Sequence, residues 1–199
     1  MTIHTWVLSA AALAALTPTL AQAHESVFET TLSGSQESPA NASTASGFAR
    51  LTVDPHHLTM RLEASFKDLA GTSTMAHIHC CTPEPFAGNA GLATPMLEGF
   101  PLDVPAGQYD HTFDMTQASA YTPGFIAAHG GTATGAFEAL FAGLKAGEAY
   151  LNLHSSAFLS GEIRGTLTPV PEPENAALML VGLIGLGSAL RRRPPHAPA

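Results

Sequence analysis

Apolar and polar residues alternate, one by one, in four short stretches of this chain. Over 48–53, Ala49, Leu51 and Val53 fall on one side, and Phe48, Arg50 and Thr52 on the other. Over 58–66, Leu58, Met60, Leu62, Ala64 and Phe66 share a side. In 149–154, Leu151 and Leu153 oppose Tyr150, Asn152 and His154; in 162–167, Ile163 and Leu167 oppose Glu162, Arg164 and Thr166. Successive side chains of a strand point to opposite faces, so this alternation predicts half-buried strands. Asp54-Pro55, Ala70-Gly71, Ala106-Gly107 and Ser160-Gly161 separate the runs, as turns do. Many short strands broken by turns predict an all-β fold, an antiparallel, Greek-key-like β-sandwich or barrel.

One region departs from that pattern. Thr122 followed by Pro123 reads as a helix cap and first turn, and Gly130-Gly131 as the stop. A second helix is expected over about Gly135 to Leu144, with Phe137, Leu140, Phe141 and Leu144 on one stripe and Gly147 after it. The stretch 116–147 is therefore a short helical insertion between strands.

Composition narrows the function classes. Charged residues make up only 12% of the chain, about half the usual fraction, so the fold rests on apolar burial and backbone pairing. Between residues 24 and 169 there are five basic and fourteen acidic side chains. Such a surface repels phosphate backbones, which argues against a nucleic-acid partner. The motifs of a phosphate loop and of a nucleophile elbow are missing from the sequence.

The two ends read as processing segments. Residues 5–20 are strongly apolar, and Ala21-Gln22-Ala23 places small residues where signal peptidase needs them, which predicts a signal peptide over 1–23 cleaved after Ala23. The domain then covers 24–169. At the other end stand Val170-Pro171-Glu172-Pro173, an apolar run over 176–190, and Arg191-Arg192-Arg193. The run is short of the roughly 20 apolar residues of a full span, but suits transient membrane insertion with the arginines on the cytoplasmic side. This three-part tail over 170–199 resembles the PEP-CTERM sorting signal of Gram-negative bacteria. The resemblance implies recognition by an exosortase, cleavage near the Pro-Glu-Pro, and a protein placed at the cell surface or in the extracellular matrix. Unlike the usual form, the tail runs on through Pro194 to Ala199.

The middle of the chain also carries a resemblance. Leu32-Ser33-Gly34-Ser35-Gln36-Glu37-Ser38-Pro39, Leu51-Thr52-Val53-Asp54, Ala76-His77-Ile78-His79, Ala149 to His154 and Gly161 to Gly165 follow one another in order. Together they resemble the CHRD domain family, over roughly residues 28–168. That resemblance implies a β-domain of secreted proteins without an established activity in its microbial members. Cys80-Cys81 stands where many members have glycine, and the helical insertion exceeds what a minimal domain requires.

Met75-Ala76-His77-Ile78-His79-Cys80-Cys81 is the run richest in chemistry. On a strand, His77, His79 and Cys81 project to one face. His154 lies on the polar side of another strand, so neighbouring strands would bring His77, His79 and His154 together. Imidazoles suit copper or zinc, and a thiolate at Cys81 would favour copper(I) or zinc. The alternative is that these histidines are hydrogen-bonded strand residues. The adjacent pair Cys80 and Cys81, in a chain expected to reach an oxidising compartment, is a vicinal disulfide, a free pair, an intermolecular link or a metal donor. His129 is a candidate fourth ligand. His24, first after the expected cleavage, offers the amine-and-ring copper chelation of lytic polysaccharide monooxygenases, which nothing else in the sequence supports. His56-His57 are expected in an exposed turn, and Glu162 with Arg164 as a surface ion pair along one strand face. A His-x-His strand on a β-sandwich is also similar to Cu/Zn superoxide dismutase, but the sequence does not set out the further histidines and aspartate of such a site. No catalytic residue is assigned, and a non-enzymatic module is expected, with a surface polysaccharide or protein as partner. A copper- or zinc-binding redox protein is the alternative.

Overall fold

The computed structural model describes residues 25–171. Strands β1 (Ser26–Ser33), β2 (Ser46–Asp54) and β3 (Thr59–Lys67) form a meander. β4 (Ser73–His79) and β5 (Gly107–Asp114) follow. Helices α1 (Pro123–Ala128) and α2 (Ala133–Ala146) precede β6 (Tyr150–Ser155), β7 (Ile163–Thr166) and β8 (Thr168–Pro169). All the strands join one antiparallel sheet in the order β4-β6-β7-β1-β2-β3-β5, with β8 also pairing β1. β4 and β5 are consecutive in sequence yet occupy opposite edges. The sheet curls into a half-barrel, as the all-β reading expected.

The expected alternations hold where the sheet has one wet face. Ala49, Leu51 and Val53 of β2, and Met60, Leu62 and Phe66 of β3, are buried in the core. Their outward neighbours stay in solvent, where Arg50 pairs with Glu29 and Arg61 with Asp110. In place of a second sheet, the concave side is filled by the helices and the segment 93–104. Phe125, Phe137, Leu140 and Leu144 join Ala93, Leu97 and Phe100 in one cluster with the strand residues. Each large apolar side chain buried this way stabilises by about 1.5–3 kcal/mol before entropy is counted.

Local chemistry sets the helix ends. Thr122 and Thr132 each cap a helix by accepting from a backbone N–H in its first turn, that of Phe125 and that of Gly135. Gly147 ends α2 in the left-handed conformation, at φ 74°. Gly143, inside α2, leaves room for the sulfurs of Cys80 and Cys81; a Cβ there would collide with both.

The open edge of β4 is covered by the segment that follows it. Ala93 N–H donates to Ile78 O at 2.9 Å and Leu97 N–H to Ala76 O at 3.1 Å. Asp103 N–H donates to Ser73 O, and Ser73 N–H to Val104 O, both at 2.9 Å. An unpaired edge is a template for unwanted pairing, so this covering keeps β4 from meeting another chain.

One expectation fails on β6 and β7. The sequence reading gave them a wet polar side, with Glu162 and Arg164 as a surface ion pair. Every residue of β6 is buried, and Glu162 and Arg164 are 0% and 8% exposed. Loops around 34–45, 80–92 and 156–161 roof this outer face. Asn41 donates to Gly161 O and Glu162 O, and Ser43 Oγ and Ala70 N–H donate to Glu162 Oε1. Arg164 donates instead to Gln36 O, Gly88 O and Asn89 Oδ1, and its carboxylate neighbour is Glu37, at 4.0 Å.

Among the described residues no helix is long and apolar enough to cross a membrane. The expected signal over 1–23 with its cleavage residues Ala21 and Ala23, His24, Glu172, Pro173, the run 176–190 and Arg191–Arg193 lie outside the described residues. Val170 and Pro171 are the last residues within them, and Val170 N–H donates to Val27 O beside β1.

Candidate metal centre

The roofed outer face of β4 and β6 holds the histidines. Ala76 and Ile78 of β4 point into the core, fully buried, so His77 and His79 point the other way. In β6, Leu151 and Leu153 are in the core and Tyr150, Asn152 and His154 face outward. The register sets His77 opposite Asn152, His79 opposite Tyr150 and Met75 opposite His154. His154 is thus the diagonal neighbour of His77. Their ring centroids are 5.4 Å apart, and those of His77 and His79 are 6.1 Å apart. One ring nitrogen from each of His77, His79 and His154 lies within 4.8 Å of the others. The expected convergence of the three rings is therefore present.

The hydrogen bonds around the rings give this cluster its chemistry. His79 Nδ1 is 2.9 Å from Ala90 O, and His154 Nδ1 is 2.9 Å from Leu159 O. A carbonyl oxygen can only accept, so each Nδ1 carries the proton and each Nε2 holds a lone pair. Both Nε2 atoms are buried without a partner, as is Nδ1 of His77. A ring that donates one N–H to a backbone carbonyl and presents the other nitrogen is how metal-bound histidines are oriented.

The surroundings of His77 and His79 favour their neutral form. Burial lowers His77 from 6.5 to about 4, helped by its neighbours His154 and His79. Burial also lowers His79, against the carbonyl of Ala90, which favours the charged ring. Neutral rings are what a metal needs. Metal–nitrogen bonds of about 2.0–2.1 Å place ligating nitrogens roughly 3.3–3.5 Å apart, so nitrogens now up to 4.8 Å apart would close by up to about 1.5 Å around an ion. The three residues could hold one metal ion between them.

Two further side chains support the cluster. Tyr150 stacks on His79, with centroids 4.7 Å apart and planes 6° apart. The Arg164 guanidinium lies 4.5 Å from the Tyr150 ring centre, on its other face because β7 and β4 flank β6 on opposite sides. Tyr150 Oη accepts from Ala90 N–H at 3.2 Å, fixing the loop whose carbonyl holds His79. Tyr150, Arg164 and Glu37 had no site role in the sequence reading. The alternation of Tyr150 with His154 is visible in the sequence, but the roof over these residues is not.

Cys81 is corrected. Cys80 and Cys81 are bonded to each other, one of the states the sequence left open, and neither offers a thiolate. The pair turns away from the imidazoles after β4 ends, with Cys81 Sγ 3.8 Å from Ala139 O of α2. His129 is not one of the cluster either. It caps α1, its ring 4.3 Å from that of Phe125. His57 sits in the expected exposed turn, where its Nδ1 meets Asp54 Oδ2 at 2.6 Å.

A curled antiparallel half-barrel with a roofed outer face and three converging imidazoles defines a small all-β module. The family model of the CHRD domain matches residues 28–167, and the chain belongs to that family. Comparison with the curated proteins and with the solved structures returns no match.

Proposed function

We propose that this chain is an exported, non-enzymatic CHRD-domain protein whose domain binds one copper or zinc ion through His77, His79 and His154. The observation that carries this reading is the convergence of one ring nitrogen from each of three histidines, two of whose rings are oriented by Nδ1–H bonds to backbone carbonyls. The wider setting follows from the chain ends. Signal peptidase removes 1–23, the tail over 170–199 inserts transiently, and an exosortase sorts the protein to the surface or exopolysaccharide matrix of a Gram-negative cell. CHRD membership and an acidic surface that stays clear of nucleic acids support that setting.

The test is metal content. Full chain carrying its own leader is purified from the periplasm without chelator and analysed by elemental mass spectrometry. Copper or zinc near one equivalent is expected, falling to background in His77→Ala and in His154→Ala. Metal-free protein that also takes up no added copper or zinc would leave the histidines structural.

A further inference from the structure

We infer that Met75 supplies a thioether to this centre, making it a three-histidine, one-methionine site selective for copper, and for copper(I) above all. The inference rests on the metal reading of His77, His79 and His154.

The register carries it. Met75, His77 and His79 are alternate residues of β4, and their intervening neighbours Ala76 and Ile78 are fully buried in the core. Met75 therefore shares the outer face with both histidines. Its direct cross-strand partner is His154. Directly opposed residues have Cβ atoms about 4.5–5.5 Å apart, so one end of Met75 is fixed beside the third imidazole. Its side chain is unbranched, with three rotatable bonds, and can bring sulfur over the neighbouring ring without moving backbone. Met75 is half-buried, so its side chain is not committed to the core.

Charge and softness point the same way. Among the described residues no carboxylate or cysteine joins the three rings. Beyond Tyr150 lies the Arg164 guanidinium, with the Glu37 carboxyl 4.0 Å from it. Desolvation cost rises with the square of ionic charge, so a buried cage without an anionic donor penalises a divalent ion more than a monovalent one. Thioether sulfur favours copper(I), whereas zinc prefers four firm nitrogen, thiolate or carboxylate donors.

The test is Met75→Leu, which keeps the apolar volume and removes the sulfur. Copper(I) affinity is measured by competition with a colorimetric copper(I) chelator, and zinc affinity by competition with a fluorescent zinc chelator. Both are done on wild type, Met75→Leu and His77→Ala, with circular dichroism as the folding control. Met75→Leu should weaken copper(I) about ten- to a hundredfold and leave zinc within about threefold, as loss of a tuning ligand does. X-ray absorption of the copper(I) protein should show one sulfur scatterer, lost in Met75→Leu. An unchanged copper(I) affinity with nitrogen scatterers alone would overturn the role of Met75 and leave a three-histidine site standing. Failure of wild type to bind either metal would overturn the metal reading itself, and this inference with it.

Discussion

Glu37 shows how a single buried group sets the local balance. Its carboxyl is 7% exposed, bonds Asn152 Nδ2 at 3.4 Å, and has Oε1 unpartnered. Burial pushes it from 4.5 up to about 7, against the pull of Arg164 and the Asn152 bond. The folded chain thus holds a proton that the unfolded chain releases between about pH 4.5 and 7. Stability from this group is highest at the acid end of that window and falls as pH rises through it. Glu37→Gln removes the titration. The variant should match wild type at pH 4.5 and exceed it by about 1–3 kcal/mol at pH 8, read as denaturation midpoints. An equal difference at both values would mean that Glu37 keeps its proton affinity on unfolding. Much at this scale was visible in the sequence, because alternation alone assigns a side chain to a face. His77, His79 and His154 were found that way. What alternation cannot give is register, which sets Met75 opposite His154 and Asn152 opposite His77. Nor does it give the carbonyls of Ala90 and Leu159, which come from loops without a pattern.

At the level of elements, boundaries followed local chemistry. Threonine caps and terminal glycines stop the helices where such residues stop helices generally. Gly147 is the clearest test, at φ 74° and with the Phe86 ring 2.6 Å from where a Cβ would lie. Phe86 is 65% exposed and can swing away, so backbone strain dominates the cost. Gly147→Ala should destabilise by about 1–2 kcal/mol and Gly147→Asn by clearly less, since asparagine tolerates this conformation. Thermal unfolding of the two variants separates strain from the Phe86 contact: equal losses would point to the ring. β6 and β7 are the elements whose surroundings escaped the sequence. Their polar side reads as solvent-facing in any window of six residues. It is roofed in large part by distant chain, such as Asn41 on Gly161 O and Asn89 on Arg164.

For the whole molecule, composition and order of motifs were enough to define an all-β domain with a helical insertion. They did not show that one curled sheet, closed by helices, replaces two facing sheets, because both architectures use the same alternation. The route of the protein is argued at this scale as well. If export follows the expected path, mature protein from the periplasm begins at His24, and N-terminal sequencing reads His-Glu-Ser-Val. A start at Met1 would end the export reading while leaving the metal site untouched.

His79 is tied to the loop at Ala90 and His154 to the loop at Leu159. An ion between these rings would rivet two surface loops to the sheet at one point. Whatever favours the loaded form also withdraws those loops from proteases, since ligand binding to the folded state suppresses local opening. The lifetime of such a protein outside the cell would then be a gauge of the copper around it.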